Sequence, residues 1–129
     1  MSHLEERRRK RSADPLVALH YQLAYSRKNG ALDAIVVADA CGLVVAGAGS
    51  WATCEELAAY APMLAQPDPH GELTPPVASR VESLRSEVHV RTMLIDGQEV
   101  LLCARGGAAR DLCLASAAQG VARILGQAA

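Results

Sequence analysis

Phenylalanine is missing from this chain of 129 residues, and aromatic residues make up only 3% of it. Its interior must therefore be filled by Ala, Val and Leu, which calls for thin side chains and close backbone approach. No apolar stretch approaches the roughly 18 residues that a helix needs to cross a bilayer, so no transmembrane segment is expected. The basic N-terminus has no apolar segment directly behind it, so it does not read as a secretory signal. The expected location is cytoplasmic. Catalytic signatures are missing too: there is no GxSxG, no HExxH and no phosphate-binding GxxxxGK[ST]. Cys41, Cys54, Cys103 and Cys113 form no CxxC pair, and the histidines His3, His20, His70 and His89 show no ligand spacing with them. The cysteines read as reduced, buried, small apolar side chains. Neither a metal nor a cofactor is expected.

The charge that is present is unevenly placed. The net charge is −1, but residues 1–12 carry five basic groups (Arg7, Arg8, Arg9, Lys10 and Arg11) against Glu5 and Glu6. The rest of the chain is mildly acidic, which argues against nucleic-acid binding by the domain itself. Residues 1–13 read as a disordered basic arm, because a run of like charges repels itself and cannot pack. Residues 14–129 read as one domain.

Half of the residues are hydrophobic, and their spacing predicts the elements. Asp14-Pro15 begins a helix over 15–28, with Asp as cap and Pro at the first position. Leu16, Leu19, Leu23 and Ala24 mark its face, and Asn29-Gly30 stops it. Residues 34–38 and 43–47 are short apolar runs around Asp39-Ala40-Cys41-Gly42, the pattern of a hairpin. Gly47-Ala48-Gly49 reads as a turn that ends it. Thr53-Cys54-Glu55-Glu56 matches a capping box for a second helix over 53–65, bent or shortened by Pro62. The prolines of 66–79 predict a loop. Val88, Val90, Thr92 and Leu94 alternate with polar neighbours as in a half-buried strand. Asp96-Gly97 turns it into the strand 98–104. Gly106-Gly107 breaks that strand, and a last helix over 109–126 carries Leu114, Ala117, Ala118, Val121, Ile124 and Leu125. The fold class is α+β: an antiparallel sheet of four or five strands with helices on it, in the order α-β-β-α-β-β-(β)-α.

Three aromatic residues and one histidine are candidates for function. Trp51, before the second helix, reads as a partner anchor or as a lid on the core. Tyr21 and Tyr25 form a second stripe on the first helix, for burial or a partner. His89 lies on the outer face of its strand.

The stretch from Leu32 to Gly49 (apolar strand, Asp, turn Gly, apolar strand ending in small residues) resembles the first hairpin of the roadblock/dynein light chain family. Glu55-Glu56-Leu57-Ala58-Ala59 fits the start of its second helix. The resemblance spans about residues 15–126, and profilin-like and sensory-domain folds are its near relatives. The family usually places three strands between the second and last helices, where two are clear in this chain; either residues 108–114 supply a short fifth strand or the long loop of 66–86 compensates. The resemblance implies a non-catalytic homodimer or heterodimer, with a small Ras-like GTPase or another roadblock-type subunit as partner, in bacterial polarity or motility signalling. It also implies an interface of Leu57, Tyr60, Ala61 and Leu64 on the second helix with Val88, His89, Val90 and Arg91 on an edge strand. A small-molecule sensory domain, or contact with nucleic acid or a membrane through the arm, are the alternative functions.

Overall fold

A computed structural model describes residues 14–65, 74–107 and 110–127. The arm of 1–13 lies outside them, as does most of the expected loop. The elements are α1 (Pro15–Gly30), β1 (Ala34–Asp39), β2 (Val44–Gly49), α2 (Trp51–Leu64), α3 (Pro75–Arg85), β3 (Val88–Ile95), β4 (Gln98–Arg105) and α4 (Arg110–Gln127). The four strands form one antiparallel sheet in the order β2-β1-β4-β3, so β2 and β3 are its edges. The α+β class and the hairpin order are as the sequence predicts.

Helices cover both faces of the sheet. Leu19 and Leu23 of α1 meet Leu114, Ala117 and Val121 of α4 over Ile35, Val37, Leu102 and Ala104. On the other face Cys54, Leu57, Ala58 and Ala61 of α2, with Leu84 of α3, cover Ala34, Val36, Ala38, Leu101 and Cys103. Burial on both sides explains why β1 reads as an unbroken apolar run: residues 34–38 are all buried.

Asp14 caps α1 as expected, with its Oδ1 accepting from the Val17 N–H at 3.3 Å. The helix outlasts its expected stop, however, and Ala31 rather than Gly30 takes the left-handed conformation, at φ 50°. Gly30 is needed for another reason: a Cβ there would lie 2.6 Å from Cys113 Sγ on α4. In the first hairpin Asp39 Oδ1 accepts from the Cys41 and Leu43 N–H groups at 2.9 and 3.0 Å, an Asx turn. Asp96 and Gly97 both have positive φ, at 52° and 78°, as a type I′ turn requires.

Four expectations need correction. Gly47-Ala48-Gly49 is strand, not turn: β2 runs to Gly49. Its glycines let neighbours close in, since a Cβ on Gly47 would sit 2.9 Å from Cys54 Sγ on α2. The capping box is not used, because α2 starts at Trp51 with Ser50 in the cap position, and Thr53 lies inside the helix. Residues 75–85 are helix rather than loop, with Pro75 and Pro76 in its first turn, where a missing N–H costs nothing. Finally, Arg110 begins α4, so the described part of 108–114 is helix and no fifth strand occurs among the described residues.

Candidate interaction surface

The two edges of the sheet are treated differently. Edge β2 is held by side chains: His20 Nδ1–H donates to Gly47 O at 3.1 Å, and Cys54 Sγ–H to Ala48 O at 3.6 Å. It is also short and rich in glycine, which suits a strand that is not to pair further. Edge β3 has eight residues and no glycine. Helices α2 and α3 cover only its beginning. Val88 is buried at 7% exposure and Val90 is half-buried, but Thr92 is exposed and Leu94, on the same face, is 76% exposed. The alternation that predicts Thr92 and Leu94 as inward-facing is therefore correct in period, yet no layer lies over them.

A depression of about 450 Å³ marks where the cover ends, lined by Leu64, Ala65, Arg85, Val88, Val90 and Thr92 among others. Arg85 forms part of its rim and donates through Nη2 to Met63 O at 3.4 Å. Glu56 of α2 and Arg80 of α3 form an ion pair that locks the two helices side by side. Glu56 holds the Arg80 guanidinium still more firmly in its charged form, raising its pKa.

The expected interface residues separate on this surface. Leu57 and Ala61 are wholly buried, and Val88 nearly so, which places all three in the domain's own core. Tyr60 and Leu64 are half-buried and pack at the margin of that core. His89 and Val90 are half-buried, Arg91 is exposed, and strand alternation puts His89 and Arg91 on the opposite face from Val90. The sequence reading did not include Thr92 and Leu94 in the interface; the signal for them was the length of the strand against the reach of the helices.

The aromatic candidates lie elsewhere. Trp51 is the first residue of α2 and 60% exposed, so it is not a lid on the core. Tyr21 and Tyr25 are 74% and 63% exposed on α1. Tyr25 shares a shallow groove of about 250 Å³ with Leu112 and Cys113 of α4. Within it, Cys113 Sγ–H donates to Ser26 O at 3.2 Å, and partial burial raises the thiol pKa.

No chemistry-bearing cluster accompanies these surfaces. Among the described residues no group of three or more His, Cys, Asp or Glu could hold a metal ion, and no helix is long and apolar enough to cross a membrane. All four cysteines are free thiols; Cys54 and Cys103 are buried as expected, whereas Cys41 is exposed in the hairpin turn. Burial pushes the Cys103 thiol up to about 12, which makes it an inert core residue rather than a nucleophile.

The fold is that of a roadblock-type domain, an α+β sheet of four antiparallel strands clad by helices. Among solved structures, Myxococcus xanthus MglB is similar over 88% of this chain and 92% of its own, with a TM-score of 0.57. The two are 11% identical, so the likeness is one of fold. No protein-family model matches the sequence, and no curated protein does.

Proposed function

We propose that this chain is a non-catalytic, cytoplasmic regulator or scaffold. It dimerises with itself or with another roadblock-type subunit, and it binds a small Ras-like GTPase in bacterial polarity or motility signalling. The observation that carries this reading is the half-covered edge strand β3. Its face is apolar at Val90 and Leu94, adjoins Leu64 of α2 across the depression, and ends without a covering layer. An exposed strand edge is a template for pairing with a second chain. Two copies related by a two-fold axis would use that edge on both sides and leave none open. The roadblock-type fold supports the choice of partners. Tyr60, Leu64, His89, Val90 and Arg91 form the proposed interface together with Thr92 and Leu94. Trp51, Tyr21 and Tyr25 remain outside it as anchors for a further partner.

Light scattering tests the first half of the proposal. The expected mass is about twice the protomer's 13.6 kDa, and the double substitution Val90→Lys, Leu94→Lys should return a folded monomer. A wild-type chain that stays monomeric at high concentration overturns it. Capture from native extract by the wild type and by Tyr60→Asp, read by mass spectrometry, tests the second half. A GTPase or roadblock subunit held only by the wild type is the expected result.

A further inference from the structure

A groove of about 370 Å³ opens at the far end of the sheet, beyond the proposed interface. Its floor is apolar, made by Val45, Ile95 and Leu125, and its rim carries Asp39 and Asp96. None of the residues that line it is basic. Asp39 spends Oδ1 on the Asx turn, while Asp96 is exposed in the β3–β4 turn. Such a groove suits long side chains with cationic heads, whose apolar stems lie along the floor while the heads meet the rim.

Helix α1 starts beside this groove. A three-residue link joins α1 to β1, so the two run in opposite directions and α1 runs parallel to β2. His20 lies against Gly47, which places the first turn of α1 near the beginning of β2, where Val45 sits. Gln22 meets Gly120, and Gly30 meets Cys113, so α1 and α4 are antiparallel and the start of α1 adjoins Leu125. The chain therefore enters the described domain, at Asp14, at the end that holds the acidic rim. The residues preceding Asp14 include Arg7, Arg8, Arg9, Lys10 and Arg11. Fully extended chain covers about 3.3–3.6 Å per residue, so Arg11 reaches about 10 Å from Asp14 and Arg7 about 25 Å.

We propose that the basic segment Arg7–Arg11 of the same chain docks in this groove, its guanidinium groups on Asp96 and Asp39. Opposite charge and a short tether both favour it: a ligand tethered a few residues away is present at a high effective concentration. Docking makes the segment unavailable to other anions while it is bound and makes its release dependent on salt.

Amide NMR of the full chain is the test, with a free peptide of residues 1–13 as reference. In the wild type the amides of residues 5–12 should differ from those of the peptide. Asp96→Asn with Asp39→Asn should move them to the peptide's positions, and Arg8→Glu with Arg9→Glu should shift the amides of Val45 and Leu125. Asn suits position 96, since it tolerates the positive φ there. Raising the salt from about 0.05 to about 0.5 M should reproduce the loss, because the screening length falls well below the spacing of exposed charges. Arm signals that coincide with the peptide's in the wild type overturn the proposal, as do arm signals indifferent to the Asp96 and Asp39 changes. Shifts that grow with protein concentration overturn it as well, since they would place the segment on a second copy.

Discussion

Gly30 and Cys113 set the distance between α1 and α4, since a Cβ at position 30 would stand 2.6 Å from the sulfur and 3.2 Å from Leu32 Cγ. Gly30→Ala should cost about 1–3 kcal/mol by overpacking, measured as a fall in the denaturant midpoint. Adding Cys113→Ala should recover part of that loss, because residues in contact do not contribute independently. Cys103 supplies a pH dependence. Its thiol is raised from 9.0 to about 12 by burial, with Cys54 nearby adding to the effect. Above pH 9 the unfolded chain loses this proton before the folded one does, so stability falls as pH rises through the window up to about 12. The limiting slope is about 1.4 kcal/mol per pH unit. Chemical denaturation at pH 8 and at pH 10 should show the fall, and Cys103→Ala should lessen it, leaving the smaller part that the raised thiols of Cys54 and Cys113 contribute. Thiol labelling of the native protein should proceed fastest at Cys41, which is exposed.

The four helices do not contribute equally to the sheet. Helix α3 is amphipathic by few residues: Val81 and Leu84 are its buried pair, and Arg80 ties it to Glu56 of α2. Leu84→Ala should cost about 2–5 kcal/mol, the usual range for a fully buried leucine, because Leu84 belongs to the core under α2. Glu56→Gln should cost less than about 1 kcal/mol, since the ion pair it breaks is partly exposed. A loss of α3 helicity on the Leu84 change, with the sheet intact, would show up as fast amide exchange confined to 75–85. The sequence made α3 hard to see. Four prolines in 66–79 favour a loop, yet two of them occupy the first turn, where proline belongs. Helix α1 was legible through Asp14, Leu19 and Leu23, while Leu16, expected on the same face, is half-exposed.

At the scale of the whole molecule, helices close both faces of the sheet except over the end of β3, and one of its two edges is dressed by His20 and Cys54. In the proposed dimer, that asymmetry directs pairing to β3. A specific dimer needs about 800 Å² from each partner, which the Val90–Leu94 face alone is too small to supply. The proposed dimer therefore includes Tyr60 and Leu64, and Tyr60→Asp should raise its dissociation constant by more than tenfold, read by concentration-dependent light scattering. Leu94→Lys alone should leave the protomer's melting temperature within a few degrees, because Leu94 makes no core contact, whereas Val90→Lys should lower it further, because Val90 packs against the core under α2.

Periodicity and turn chemistry were enough to determine four strands, three of the four helices and both hairpin turns, because each depends on neighbours a few residues apart. The stretch 34–38 could be recognised as strand, but not as central, from its run of apolar residues. Which face of β3 stays open could not be read from the chain, since it depends on where α2 and α3 end above a strand distant in sequence. The same holds for Leu57 and Ala61: their helical spacing marks an apolar stripe, and only the packing of α2 on the sheet decided that the stripe is spent on the domain's own core.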